Sequence, residues 1–217
     1  MWIPSLPPLA VSLWLAPLLA LLAIGAGFLC GWLKLRRGFR TGDTRKIFHF
    51  TIFAAAAVLS RGLGFEAVNL LGGVVALYVL ALLRLGDGNV FYEGLARESD
   101  RPQRSFYIVL PFLATAAGGI LSTLFFGGFA TVGFAVAGCA DALAEPIGIR
   151  FGKHRYRVPN FGGGVTSSRS LEGSVAVLAA SFLAAVLVLP AWLEWLHRRR
   201  QRAAGAAQAT EAASPVG

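Results

Sequence analysis

Long apolar runs, separated by short charged stretches, form the main pattern of this chain. Six segments are apolar enough to be predicted as helices: 9–33, 47–63, 65–83, 106–126, 128–149 and 174–196. About 20 apolar residues in helical form cross the ~30 Å hydrocarbon layer of a bilayer. Pro190 lies inside the last segment and could split it. The pattern therefore predicts an all-α, polytopic membrane helix bundle of six transmembrane helices, or seven with a split.

The composition excludes an ordinary soluble domain. Of the 217 residues, 56% are hydrophobic and only 14% are charged, and the mean hydropathy is +0.64. A soluble domain of this size needs more charge to cover its surface. We therefore assign residues 1–202 to a single integral membrane domain, and we expect the alanine-rich residues 203–217 to be a disordered C-terminal tail.

The basic residues indicate how the bundle is oriented. They are concentrated in segments 34–46 and 150–172, segment 84–104 is mixed, and the opposing loops carry almost no charge. The positive-inside rule places these three segments in the cytoplasm, so we expect an inner or plasma membrane protein with its site facing the cytoplasm. The basic stretch 197–202, which follows a sixth span, does not obey this rule. We attribute the net charge of +9 to orientation and lipid headgroups, and expect no nucleic-acid partner.

Two carboxylates interrupt the fifth apolar segment. Asp141 and Glu145 are four residues apart, so both lie on one face of a helix. Ionised groups at membrane depth cost at least ~2.5–3.5 kcal/mol each, so they face a cavity or a partner. Pro146 frees a backbone carbonyl beside them, and this oxygen-rich group suits Mg²⁺. The alternative is that the two acids pair with Arg150 or Lys153 as the helix leaves the bilayer.

The loop that follows the acids combines glycines, hydroxyl groups and basic side chains. Glycine-rich backbone lets several N–H groups converge on a phosphate, and hydroxyls and arginines add further donors. The start of the next helix offers free N–H groups as well. The candidate phosphate-binding residues are Lys153, Arg155, Gly162, Gly163, Gly164, Ser168, Arg169, Ser170, Gly173 and Ser174.

Three short motifs occur in a recognisable order: RKxxH, then DAxAxxxGxxFG, then a basic residue followed by Ser-x-x-Gly-Ser. The matching residues are Arg45, Lys46, His49, Asp141, Ala142, Ala144, Gly148, Phe151, Gly152, Arg169, Ser170, Gly173 and Ser174. This order resembles the CTP-dependent polyprenol kinase family, which includes phytol kinase, dolichol kinase and CTP-dependent diacylglycerol kinase. The resemblance runs from about residue 34 to 190, and its specific part is the block 141–174. The chain has Ala140 and Arg169 where the family usually has glycine and lysine.

The resemblance implies an enzyme that transfers a phosphoryl group from a nucleotide, CTP in this family, to the hydroxyl of a prenol or other membrane lipid alcohol. Asp141 and Glu145 would hold the cofactor Mg²⁺, and Lys153 and Arg169 would stabilise the developing charge. His49 is a third catalytic candidate. Secondary candidates are Arg45, Lys46, Glu93, Asp100 and Arg101. We expect segment 86–105 to be either an amphipathic segment on the membrane surface or a solvated loop.

Two other functions use the same residues differently. A phosphatidate cytidylyltransferase would combine CTP with a lipid phosphate and release pyrophosphate. A cation- or proton-coupled transporter would use Asp141 and Glu145 as an ion site at a broken helix. The acid pair and the Gly/Ser loop each occur once, so no inverted repeat of the kind found in transporters is visible.

Overall fold

The computed structural model describes residues 5–158 and 167–212. Its helices are α1 Leu9–Arg37, α2 Thr41–Gly62, α3 Phe65–Leu85, α4 Val90–Leu95, α5 Phe106–Phe126, α6 Ala130–Phe151 and α7 Leu171–Ala212. Two short strands, β1 Arg155–Val158 and β2 Ser167–Ser170, form an antiparallel hairpin between α6 and α7. The predicted all-α membrane helix bundle is confirmed.

Four segments are long and apolar enough to cross a membrane: Leu9–Arg37, Phe65–Leu85, Phe106–Phe151 and Leu171–Pro190. The third of these contains both α5 and α6, which are separated by a single turn of 3-10 helix. Helix α2 is absent from this group because its first half carries charged residues. Each of the six predicted segments corresponds to a long helix, and the number of membrane crossings stays a prediction.

Tight turns bring the charged segments together. Helix α1 ends at Gly38, which adopts a left-handed conformation (φ 67°), and the N–H groups of Gly38 and Phe39 bond to the carbonyls of Lys34 and Leu33. This Schellman-type end lets α2 begin at Thr41, only a few residues later. Since successive long helices reverse direction, residues 34–46, 86–105, 150–158 and 167–172 lie at one end of the bundle, called here the charged end.

The core lies where α1 packs against α3 and α4. Buried side chains of α1 include Leu15, Leu19 and Cys30, and α3 contributes Leu71 and Leu82. Small residues allow the helices to approach closely, as they do in other membrane bundles. A Cβ atom on Gly31 would overlap the backbone of Val90, and one on Gly94 would meet the backbone of Gly31.

Segment 86–105 is packed against other helices rather than being a solvated loop, and its location at the membrane surface stays a prediction. Its helix α4 packs against α1, with Tyr92, Glu93 and Leu95 buried, and Arg104 further along is only 2% exposed. Thr44 of α2 donates a hydrogen bond to the carbonyl of Gly94 at 2.8 Å and ties α4 to a second helix. The segment is therefore folded into the charged end as part of the structure.

Helix α7 continues through Ala212 and so enters the region 203–217. The disordered tail that we expect there stays a prediction. Alanine has the highest helix propensity, and the run after Arg202 is rich in it, which explains the continuation. Pro190 lies within α7 and does not end it. Residues 213–217 lie outside the described residues.

Candidate active site

The first turns of α2 face the C-terminal half of α6 at the charged end. Two glycines permit this approach. A Cβ atom on Gly138 of α6 would meet the side chain of Phe53 at 2.8 Å, and a Cβ atom on Gly42 of α2 would overlap the carboxylate of Glu145. The close packing places the acids of α6 directly against the basic face of α2.

Both oxygens of Asp141 contact cationic or hydrogen-bonding groups of α2. The Lys46 ammonium donates a hydrogen bond to Asp141 Oδ1, and His49 Nδ1 lies 3.0 Å from Asp141 Oδ2. Lys46 and His49 are three residues apart, so they share one helix face, as their spacing predicted. The Asp141 side chain is 39% exposed, so the pair lies at the edge of the packed bundle.

Glu145 lies one turn further along α6 and has a different partner. Arg97 donates from Nη2 to Glu145 Oε2 at 2.8 Å, and the Lys46 ammonium is 4.0 Å from the same oxygen. Lys46 therefore lies between the two carboxylates. Among the described ion pairs, the two acids contact α2 and segment 86–105 rather than Arg150 or Lys153.

Arg97 contacts Glu145, although the sequence did not single it out from the other charged residues of segment 86–105. It lies in an extended stretch between α4 and the 3-10 turn Glu98–Asp100. Such a stretch has no helical or strand periodicity from which the direction of a side chain could be predicted. The positive charge of Arg97 was therefore the only indication of a role at the site, and several neighbouring residues carry the same charge. Within the described structure, its Nε atom is buried without a hydrogen-bond partner.

The secondary candidates separate into two groups. Arg45 donates to the carbonyl of Tyr107 at 3.2 Å and lies 4.0 Å from Asp100, so both border the site beside Lys46. Arg101 is instead on the surface, 56% exposed, where it pairs with Glu98 and Asp87. Glu93 belongs to a buried cluster next to the site.

We call Lys34, Asp87, Glu93 and Arg104 the Glu93 cluster. Glu93 accepts hydrogen bonds from Arg104 at 2.7 and 3.1 Å, from Lys34 at 2.6 Å and from the Gly88 N–H at 3.1 Å. Burial alone would raise the pKa of Glu93, but these donors outweigh it and lower the pKa to about 2. Hydrogen bonding to Glu93 likewise raises the pKa of Arg104. Glu93 therefore stays ionised, and the hydrogen bonds that it accepts hold segment 86–105 in place.

The hairpin begins ten residues beyond Glu145, just after α6 ends at Phe151. Strands β1 and β2 pair Arg155 with Ser170 and Tyr156 with Arg169. The Ser170 hydroxyl accepts the Gly173 N–H at 3.1 Å, which caps the start of α7. A Cβ atom on Gly173 would lie 3.0 Å from the carbonyl of Ala144, so the base of the hairpin contacts the turn of α6 that carries the acids.

The predicted phosphate-binding residues have varied surroundings. Lys153, Arg155, Ser168 and Arg169 are exposed at the charged end. Ser170 and Gly173 bond to each other, and the Ser174 hydroxyl contacts the Ser170 carbonyl at 3.2 Å and the Tyr156 hydroxyl at 2.8 Å. Gly162, Gly163 and Gly164 lie outside the described residues. The roles assigned to all these residues stay predictions.

The donor set can be compared with the needs of Mg²⁺. Among the described residues, no group of three or more His, Cys, Asp or Glu side chains is arranged to hold a metal ion. Mg²⁺, however, is commonly bound by one or two carboxylates together with substrate phosphates and water. Each carboxylate oxygen has two lone pairs, so the observed hydrogen bonds leave Asp141 and Glu145 able to bind a metal. The residues fit an Mg²⁺ ion that is shared with a phosphate ligand.

Fold and site together define an integral membrane helix bundle that gathers two carboxylates and several basic side chains at one end. Over 183 residues the chain is 28% identical to phytol kinase from Synechocystis sp., a match that covers 84% of this chain and 74% of that protein. The match confirms the resemblance to the polyprenol kinase family that the motifs indicated. No family model matches the chain, and no solved structure matches it.

Proposed function

We propose that this protein is a membrane lipid kinase that transfers the terminal phosphoryl group of a nucleoside triphosphate to the hydroxyl of a lipid alcohol. The observation that carries the proposal is the convergence of Asp141 and Glu145 with Lys46, His49 and Arg97 at the charged end. The similarity to phytol kinase supports a prenol-type alcohol as substrate. The family resemblance favours CTP as donor.

The charge at the site suits phosphoryl transfer. Such catalysis depends mainly on positioning and on neutralising the charge of the phosphates, with little covalent chemistry left to the protein. Asp141 and Glu145 would hold Mg²⁺, which supplies charge neutralisation and orientation of the phosphates. Lys46 lies between the two acids and is 15% exposed, so its ammonium can reach a phosphate bound there.

The hairpin supplies further donors on the same side. Lys153, Arg155 and Arg169 are exposed, and the hairpin base contacts α6 beside Glu145. We propose that these side chains, with Ser168 and the glycines at 162–164, contact the nucleotide from the aqueous side. Charge-assisted hydrogen bonds from lysine and arginine are the strongest that a protein offers to phosphate.

We propose that His49 acts as the general base. In the tautomer that carries its proton on Nδ1 and donates it to Asp141, Nε2 is the atom that can accept a proton. The lipid hydroxyl oxygen forms a bond to the γ-phosphorus as the bond from that phosphorus to the bridging oxygen breaks. The nucleoside diphosphate leaves, and the hydroxyl proton passes to His49. Asp141 orients the imidazole and stabilises its charged form.

The location of the acids suits a lipid substrate. Helix α5 buries only Ile108 and Thr123, so most of its surface is available to lipid chains next to the charged end. A lipid alcohol can therefore enter sideways from the bilayer while the nucleotide arrives from water. The carboxylates lie near the end of an apolar helix, where a lipid from the bilayer and a nucleotide from water can both reach them.

Product analysis tests the proposal. Detergent-purified protein would be incubated with Mg²⁺, with CTP or ATP, and with a panel of lipid alcohols and phosphatidate. We expect a phosphorylated alcohol together with CDP or ADP. Release of pyrophosphate from CTP and phosphatidate would instead identify a cytidylyltransferase.

Variants connect the product to the site. Asp141→Asn removes a charge without changing shape and should reduce turnover by at least about 100-fold, as expected for the loss of charge stabilisation. His49→Gln should reduce turnover by about 100-fold or more. The matched control is Arg84→Ala, because Arg84 is an exposed basic residue in the last turn of α3. Parental turnover in both Asp141→Asn and Glu145→Gln would show that the acids are structural.

A further inference from the structure

Arg97 has an arrangement that a purely structural ion pair does not explain. One arm of its guanidinium bonds to Glu145, the side chain remains 33% exposed, and its Nε is buried without an acceptor among the described residues. Buried donors in proteins nearly always have partners, so an unpaired one calls for a reason. A guanidinium that turned toward an anion beside Glu145 could use both of its arms.

The backbone on both sides of Arg97 is held by a buried charge. Arg104, only 2% exposed, donates to the carbonyl of Arg97 at 3.1 Å and to that of Ala96 at 2.9 Å. Lys34 also donates to the carbonyl of Ala96, at 3.1 Å. Buried ion pairs contribute little net stability, because removing both charges from water is costly. The buried ion pair between Arg104 and Glu93 is better explained by its effect on Arg97, whose backbone Arg104 holds in place.

We propose that Arg97 is a phosphate-binding residue of the nucleotide site and that Arg104 is the residue that positions it. This inference rests on the proposed function, because it assumes a nucleoside triphosphate beside Asp141 and Glu145. A divalent cation on Glu145 competes with the guanidinium for the same carboxylate. Arg97 then exchanges Glu145 for phosphate oxygens, which a planar guanidinium binds with two parallel hydrogen bonds.

The charges around the site agree with this exchange. Arg45, Lys46 and Arg97 face three acids, namely Asp100, Asp141 and Glu145. The cations and acids balance one another in pairs, so the group has no net charge when His49 is neutral. Adding a divalent cation makes the group positive, and a triphosphate is the anion that such a group attracts.

Nucleotide affinity provides the first test. Equilibrium dialysis with radiolabelled CTP and Mg²⁺ would be run on the full-length protein in detergent, with ATP as the second probe. Arg97→Ala should weaken CTP binding by about 10- to 100-fold, the effect of losing charge-assisted hydrogen bonds. Arg97→Lys should recover part of the loss, because it restores charge without the fork. Arg84→Ala should bind like the parent, and the KM for the lipid alcohol should change less than about twofold in all variants.

A double-mutant cycle with Glu145 gives the second test and separates binding from structure. In EDTA, Glu145→Gln releases Arg97 and should tighten CTP binding about tenfold, whereas the same change in an Arg97→Ala background should do much less. Equal effects in the two backgrounds, or parental affinity in Arg97→Ala, would overturn the assignment. A parent that binds neither nucleotide would overturn it as well.

Arg104→Lys tests the positioning role, because lysine keeps the charge but cannot reach both carbonyls and Glu93 together. We expect weaker CTP binding when Arg97 is present and no further weakening in Arg97→Ala. Additive losses would show that Arg104 acts only through general stability. The proposed function is tested separately. If the parent binds CTP but phosphorylates no alcohol, the kinase function is wrong, and the CTP affinities of the variants still show whether Arg97 binds phosphate.

Discussion

At the scale of single residues, Gly42 leaves the space that the Glu145 carboxylate occupies. A Cβ atom at Gly42 would overlap Glu145 Oε1, so Gly42→Ala should displace the carboxylate. Alanine is the better helix former by about 1 kcal/mol, so the unfolding temperature should stay level or rise. Turnover should nevertheless fall at least about tenfold, since small misplacements at a reacting centre are costly. Kinase assays and thermal unfolding in detergent would measure both effects.

The control for this substitution is Gly72→Ala. Gly72 lies on the exposed side of α3, and a Cβ atom there would meet nothing within 4 Å. The Gly72→Ala substitution gains the same helix propensity as Gly42→Ala but contacts no residue of the site. Its turnover should therefore equal that of the parent. Parental turnover in Gly42→Ala would mean that the position of Glu145 does not matter for the reaction.

Helical spacing explains how much of the site was predictable at this scale. Lys46 and His49 share a face of α2, and both contact Asp141, because residues three apart are neighbours on a helix. The contact between α2 and α6 joins positions 95 residues apart in the chain, for which sequence spacing sets no constraint. Arg97 could not be placed either, because it lies in extended backbone whose path depends on the Glu93 cluster.

At the scale of elements, segment 86–105 depends on the Glu93 cluster for its fold. Glu93→Gln keeps the shape of the side chain but leaves Arg104 without its main partner in a buried position. Removing one member of a buried pair destabilises a protein by about 3 kcal/mol or more. The control is Glu98→Gln, because Glu98 pairs with Arg104 and Arg101 but is 59% exposed, and exposed pairs contribute less than about 1 kcal/mol. Chemical unfolding in detergent would compare the two.

The same cluster predicts a response to acid. The pKa of Glu93 is about 2 in the folded protein against 4.5 ordinarily, so folding favours its ionised form. The stability that this provides is complete above about pH 5 and is lost as the pH falls toward 2. The unfolding temperature of the parent should therefore drop between pH 5 and pH 3. Glu93→Gln should show a smaller drop, and an identical pH profile would contradict the assigned pKa.

The long helices were predictable as elements, and the short ones were not. Glycines such as Gly38, Gly64 and Gly86 end the apolar runs, and charged residues follow them, so helix ends appeared near the expected positions. Helix α4 and the β1–β2 hairpin are only a few residues long and are held by contacts with α1, α6 and α7. Such contacts are tertiary, and short segments carry too little periodicity to reveal them.

At the scale of the whole molecule, apolar length was enough to predict the bundle but not its packing. A lipid-facing surface is as apolar as a buried one, so composition does not tell which side of a membrane helix meets another helix. Small residues gave a partial signal. Gly138, a small residue of the kind that membrane helices place at contacts, packs against Phe53, whereas the central position of α1 had no sequence signature.

The path of the chain predicts which segments share a side of the membrane. Single cysteines would be placed at Arg40 and Arg157, which are exposed at the charged end, in a background with Cys30 and Cys139 replaced by alanine. Both should react with an impermeant reagent from the same side of sealed vesicles, which the positive-inside rule identifies as the cytoplasmic side. Opposite accessibility would contradict the ion pairs that join α2 to α6.

The continuity of the last helix predicts on which side of the membrane the C-terminus lies. Helix α7 begins at the charged end and runs without interruption past Pro190, so its C-terminal part should leave the bilayer on the other side. At about 1.5 Å per residue, 20 residues already cross the ~30 Å hydrocarbon layer. A cysteine at Gln201 should therefore be labelled from the side opposite to Arg40, even though the positive-inside rule favours the reverse for the basic residues 197–202. Labelling of Gln201 and Arg40 from one side would show that the chain turns back near Pro190 and that charge, rather than helix continuity, decides the position of the C-terminus.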